Sequence, residues 1–284
     1  MAAVTTARIV DPSGNVLLTL ANDQASYVLN ELDLGFPSVR AVSQPYSGRD
    51  GDVDTSKYVG LRSVTARVTV SATNTGMLVD TLAGLMHPGQ RNYLVASRAD
   101  WAADRRIVIH GETFACPPGP IRVAQCGWRA PAGLWEDVAA ITVTIQPTGS
   151  STGGFSFPLV FPLAMTPGQA AGSTMVTLGG SVAAPVLWRL YGPVTGPIVR
   201  RADTAEQLSF PGLVINQGDY LQIDQDAKTV LLNGLTTASL YNRLDFMSAT
   251  WWRLPPNAMT GVSFTGTATG PTTSGVLTVR NRWM

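Results

Sequence analysis

Charge is scarce in this chain. Only 14% of its 284 residues are Asp, Glu, Lys or Arg, against roughly a quarter in ordinary globular domains. The net charge of +1 supplies no basic stripe to neutralise phosphates, so nucleic-acid binding is not expected. Histidine and cysteine are scarcer still, with two residues of each. Cys116 and Cys126 are too few for a disulfide framework or a closed zinc site. With Pro117-Pro118-Gly119 between them, buried thiols are favoured over a short disulfide loop. His87 and His110 have no acid or nucleophile near them in sequence. His87, beside Pro88, reads as a partner for a helix C-terminus, and His110 as a structural residue at the end of a strand. No Gly-x-Ser-x-Gly, P-loop or His-Glu-x-x-His motif occurs, and no carboxylate pair stands out for glycoside hydrolysis. The sequence therefore predicts neither an enzyme nor a cofactor. No window approaches the roughly 20 apolar residues of a membrane span. The opening Met1-Ala2-Ala3-Val4-Thr5-Thr6 lacks the basic-then-apolar order of a secretory signal.

What remains is the material of β-structure. Gly, Pro, Thr and Ser take the place of the missing charge, and the hydrophobic fraction is 45%. The length allows two domains, each with its own core. A surface so poor in charge suits a protein covered in an assembly, but also a plain secreted β-protein; composition leaves both open. Val64, Ala66, Val68 and Val70 alternate with Thr65, Arg67, Thr69 and Ser71, a half-buried strand. A single helix is predicted after Asn74 or Thr75, with Leu78, Val79, Leu82, Leu85 and Met86 on one face and His87-Pro88-Gly89 as its stop. Val138–Gln146 reads as a long strand closing the sheet of a first domain. Pro147-Thr148-Gly149-Ser150-Ser151-Thr152-Gly153-Gly154 reads as a flexible connection. The expected division is a first domain over 1–147, a linker over 148–156 and a second domain over 157–284. Beyond the linker only strands and turns are predicted, at the spacing of a sandwich or jelly roll. At its centre lies a hairpin in Gly212–Leu235, with Leu221, Ile223, Val230 and Leu232 inward and Asp226-Ala227-Lys228 as the turn.

Two groups of residues are candidates for contact. Asp50, Asp52 and Asp54, with Arg49 beside them, form an acidic loop. It lacks the Gly and terminal Glu of an EF-hand, so an arginine-pairing contact loop is favoured over a calcium site. Trp188, Tyr220, Trp251 and Trp252 lie in the second domain. Neighbouring residues on a strand face opposite ways, so one of Trp251 and Trp252 points out. The outward ring suits a neighbouring protein, or alternatively a sugar.

Several stretches stand in a characteristic order. In the first domain these are Gly48–Asp54, Tyr58-Val59-Gly60-Leu61-Arg62 with the strand after it, and the helix ending at Pro88-Gly89. In the second they are Gly179–Val186, Gly192–Pro197, the 212–235 hairpin, Trp251-Trp252-Arg253-Leu254-Pro255 before Asn257, and Val276–Trp283. Taken together they resemble distal tail proteins (Dit) and related minor tail proteins of long-tailed bacteriophages. The resemblance implies a mainly β protein: a β-sandwich-like, ring-forming domain with one helix, then a galectin-like β-sandwich (jelly roll). It implies a hexameric ring in the virion, made in the host cytoplasm, that joins the tail tube protein to the tail hub at the tail tip and baseplate. Receptor-binding proteins or host glycans are further partners that it suggests. A carbohydrate-binding protein using the second sandwich for cell-surface attachment is the alternative.

Overall fold

The computed structural model describes residues 4–23, 26–45, 50, 52–71, 75–119, 121–147, 172–267 and 270–284, with the side chains of 5, 41–45 and 52–57 left aside. The Asn74 cap, Arg49 and the expected linker fall outside these residues. The chain divides into two units, residues 1–139 with 282–284, and residues 140–281.

In the first unit, β1 (Val4–Val10), β2 (Val16–Ala21), β3 (Tyr27–Asp33), β6 (Arg62–Val70), β7 (Asn92–Arg98), β8 (Arg105–Ala115) and β9 (Arg122–Ala130) share one sheet. Its strand order runs β8-β7-β1-β2-β3-β6-β9, and β9 pairs back with β8. The sheet thus closes into a barrel, which removes its edges. Closure depends on the length of β8. Its first half, Arg105 to Ile109, pairs with β7; from His110 on its second half pairs with β9, with a register shift between Gly111 and Thr113 inside that pairing. Such a shift bends and twists a strand locally. The alternation of β6 is realised in full, with Val64, Ala66, Val68 and Val70 all buried. The same phase also buries Arg62, which is 3% exposed. The helix α1 (Thr75–Leu85) seats Leu82 in this core, with Met86 just past its end, and Tyr27 Oη donates to the Leu78 carbonyl at 2.9 Å. A separate two-stranded ribbon is formed by β4 (Val39–Pro45) and β5 (Asp52–Val59).

The expected strand Val138–Gln146 is realised as β11 (Ile141–Ile145), which lies in the second unit instead of closing the sheet of the first. β10 (Trp135–Asp137) pairs with β8, while β11 pairs with β20 (Ser274–Val279) in the second unit. The break between β10 and β11 falls at Val138, whose N–H donates to the Asp104 carbonyl at 3.0 Å. The unit boundary accordingly precedes the expected linker. The closing strand divides: β21 (Arg282–Trp283) returns to β10 in the first unit. There Arg282 holds Glu136 through Nε and Nη2, at 3.0 and 2.9 Å, and the Trp283 indole donates to Asp137 at 2.7 Å.

The second unit is a β-sandwich. One sheet runs β11-β20-β13-β17-β18, with β13 at Leu187–Tyr191, β17 at Tyr220–Asp224 and β18 at Thr229–Leu232. The other runs β12-β19-β14-β15, from Ser173–Thr177, Met259–Thr267, Val194–Arg201 and Gln207–Ser209, with β16 (Val214–Ile215) against β14. Trp188, Leu190, Phe210, Leu221, Ile223 and Phe264 fill the space between the inner faces. The hairpin is confirmed, with a different turn chemistry. Asp224, not Asp226, accepts the N–H groups of Asp226 and Ala227, and Lys228 takes a φ of +54°.

Both thiols are free. Burial, with the neighbouring Cys116 as a lesser cause, pushes the Cys126 thiol up to about 12, whereas Cys116 is only half-buried. Because the thiolate is the nucleophile, iodoacetamide at mildly alkaline pH is expected to label Cys116 alone in the native protein. Cys126 should react only in denaturant, as peptide mass mapping would show. Equal labelling of both thiols in native buffer would contradict this packing.

Candidate functional site

No group of His, Cys, Asp and Glu among the described residues could hold a metal ion. The two histidines do local work or none. His87 Nδ1 accepts the Gly89 N–H at 3.1 Å, bracing the turn after α1 rather than capping the helix end. His110 lies in β8 opposite Arg129. The carboxylates are largely committed to structure. Asp11 accepts the N–H groups of Ser13 and Asn15 in the first hairpin turn, and its pKa is lowered, chiefly by the bond from the Asn15 side chain and then by these backbone bonds. Asp100 and Asp203 are lowered chiefly by hydrogen bonds from Arg98 and Arg201. Glu206 also pairs with Arg201, and Asp104 with Arg8.

The aromatic candidates separate into core and surface. Trp188, from β13, is wholly buried, and Trp252 is 3% exposed. The segment 250–254 is not a regular strand; Leu254 alone bridges, to Ala184 through paired backbone bonds of 2.8 and 2.9 Å. That anchor is enough to fix which way the tryptophans face. Trp251 turns outward, half-buried, stacked on Tyr241 with centroids 6.3 Å apart and planes 7° from parallel. Tyr241 meets Phe246 at 5.5 Å. Beside Phe246, Met247 is 97% exposed. Tyr220 belongs to a different patch, against Tyr191 at 5.4 Å and near the Arg189 guanidinium. The four aromatic candidates thus form no single site. Tyr241, Phe246 and Met247 were not expected. The available signal was an adjacent Phe-Met pair inside the polar stretch Asn242–Ser248.

Of the acidic loop, Asp50 is exposed, while Asp52 and Asp54 enter β5, where only their backbone is described. The ribbon they belong to carries exposed apolar residues near its base: Val39 at 59% and Tyr58 at 58%. Phe36, just before β4, is 70% exposed. An isolated ribbon is marginal in water by itself, and apolar groups at its base suit contact with another chain.

No protein-family model matches the chain, and no curated protein matches it. Solved structures do. The crystal structure of the Dit protein of phage SPP1, described as a paradigm of the hub adsorption apparatus of phages infecting Gram-positive bacteria, aligns with a TM-score of 0.66 at 14% identity. That alignment covers 98% of this chain and 99% of the other. A chain of the phage P2 baseplate in its activated conformation with calcium aligns with a TM-score of 0.51 at 10% identity, covering 97% of both chains. The strontium form of that baseplate gives a TM-score of 0.52 at the same identity and coverage. Over almost its whole length, therefore, this chain has the fold of the SPP1 Dit protein.

Proposed function

We propose that this protein is a non-catalytic structural subunit of a phage tail tip, in which the first unit builds a sixfold ring between tail tube and tail hub. The single observation that carries the reading is the two-unit likeness to a Dit protein across nearly the entire length of both chains. A likeness confined to one sandwich would fit many unrelated functions. The low charge agrees, because ring contacts cover polar, uncharged surface. Identical head-to-tail contacts generate a closed ring or an open filament, and closure is what a tail collar requires. In this reading the β4–β5 ribbon contributes to the ring contact, together with the contact residues expected from the sequence, Arg49, Asp50, Asp52 and Asp54. The second unit, a galectin-like sandwich, stands at the periphery towards receptor-binding proteins.

The mass of the full chain in solution and averaged images of negatively stained particles test the proposal directly. Closed rings with sixfold symmetry are expected at high protein concentration or in tail-tip assemblies. A protein that stays monomeric in both settings would sink it. The second reading, carbohydrate binding, is favoured by one feature, the outward Trp251–Tyr241 stack, a surface of the kind on which sugar rings lie.

A further inference from the structure

The first unit holds a cavity of about 440 Å³. Its apolar lining includes Leu32, Leu34, Trp101 and Trp135, and its cationic lining is Arg62, Arg98 and Arg105. Asp33, the one acidic side chain in the lining, accepts the Gly35 N–H at 2.9 Å, and Val4 and Met284 complete the wall.

The three arginines differ in their bonding. Arg98 is neutralised by Asp100, which accepts from Nε and Nη2 at 2.9 and 2.7 Å. Arg62 has carbonyl partners: Nε donates to Gly133 at 2.9 Å, and Nη1 reaches Leu34 and Gly35 at 3.4 Å each. Its Nη2 is buried with no acceptor, although the residue is 3% exposed. Burial draws its pKa down to about 10, the mark of a cation lacking a counter-charge. Arg105 lies between two indoles, 4.2 Å from the Trp101 centroid and 3.8 Å from that of Trp283. Burial lowers its pKa as well, opposed in part by the charges of Asp137 and Asp100. Leaving a buried guanidinium such as Arg62 without an anion is costly, and because its Nη2 has almost no accessible surface, it is the charge of Arg62, not that N–H, that reaches the cavity.

We propose that this cavity binds a carboxylate borne on an apolar or aromatic stem, seated against Arg105 with Arg62 behind it. A carboxylate suits the geometry better than a phosphate. The donors are guanidinium edges flanked by indole faces, which match a planar anion, whereas a dianion needs more donors than remain after Asp100 has taken Arg98. The stem lies along Leu32, Leu34 and the tilted Trp101–Trp135 pair, whose centroids are 6.2 Å apart. A small organic acid and the Glu side chain of another protein segment share this chemistry. The inference stands on the cavity itself, independently of any role in a tail.

Titration calorimetry on the full chain tests it with four probes: phenylacetate, the blocked dipeptide N-acetyl-Phe-Glu-amide, 2-phenylethanol and inorganic phosphate. One or both carboxylates should bind, the alcohol and phosphate should not, and Arg105→Gln should weaken binding roughly tenfold or more. Binding of the dipeptide alone indicates a protein-borne ligand, and binding of phenylacetate a small acid; either supports the site. Arg62→Met should abolish carboxylate binding and leave the circular dichroism spectrum unchanged. If that variant does not fold, Arg105→Gln carries the test alone. Absence of carboxylate binding, equal binding of phosphate, or undiminished binding by Arg105→Gln overturns the proposal.

Discussion

Trp252→Ala is expected to unfold the second unit, while the same change at its neighbour Trp251 leaves that unit folded. Trp252 is 3% exposed and sits in a core cluster with Trp188, Leu254 and Phe264. Truncating a buried Trp typically costs about 3–5 kcal/mol, a transfer loss plus the cavity left behind. The cost here belongs near the low end of that range. The Trp252 indole N–H is buried without an acceptor, and removing it relieves a penalty of about 1–3 kcal/mol. Even so, the loss is a large share of the roughly 5–15 kcal/mol that holds a domain together. Trp251 is half-buried, packing one side on the core and stacking on the Tyr241 ring; the stack contributes about 0.5–1.5 kcal/mol, and the partial burial keeps the total below that of Trp252. Hydrogen exchange of the β13 and β17 amides reads the second unit without interference from the first. Protection there should collapse in Trp252→Ala and survive in Trp251→Ala; equal losses would mean that the inward and outward assignments are wrong. The surviving Trp251→Ala protein then separates the two functional readings. Tail-tip complexes that fail to form support assembly, whereas intact assembly with lost binding to cell-wall polysaccharide supports the sugar site.

The sequence made visible whatever depends on near neighbours. The inward phase of β6 and the helix with its Pro88-Gly89 stop follow from periods of two and 3.6 residues. The opposite facing of Trp251 and Trp252 is expected from a strand period, but the segment is no regular strand and is anchored by the Leu254–Ala184 bridge. Long-range pairing was hidden. The sequence places the strand expected over Val138–Gln146 in the first sheet, yet β11 pairs with β20 in the second unit, a choice set by partners far away in the chain. Barrel closure was hidden for the same reason, since nothing local in β8 says that its halves have different neighbours. Arg62 is an intermediate case. It continues the buried phase of Val64, Ala66, Val68 and Val70, so the pattern placed a charge inward, and that conflict between pattern and residue type marks the cavity. The Tyr241–Phe246–Trp251 patch had only a weak signal, because isolated exposed apolar residues are ordinary on protein surfaces.

Gly111→Ala should destabilise the first unit strongly, whereas Gly84→Ala, on the helix that ends at the same contact, should stabilise it. At Gly111 an added Cβ would fall 1.7 Å from the Met86 carbonyl oxygen and 2.2 Å from its carbon. These are backbone atoms, so no rotamer change relieves the overlap. Either β8 shifts at its register irregularity, which would disturb its pairing with β9, or the chain leaving α1 lifts away from the barrel. Lifting would expose Met86 and Leu82, now 6% and 0% exposed, and each buried side chain of that size contributes about 1.5–3 kcal/mol. The expected loss is therefore about 3 kcal/mol or more. Gly84 is exposed on α1, and a Cβ added there would meet nothing within 4 Å. Gly84 lies in the last turn of α1, so alanine there gains about 0.4–1 kcal/mol with no steric cost. Urea denaturation of the two variants, followed through exchange of the β6 and β9 amides, should move the midpoint in opposite directions. An unchanged midpoint in Gly111→Ala would mean that β8 and the end of α1 are not in contact. The closed barrel would then have to bury Leu82 and Met86 by some other approach of the helix.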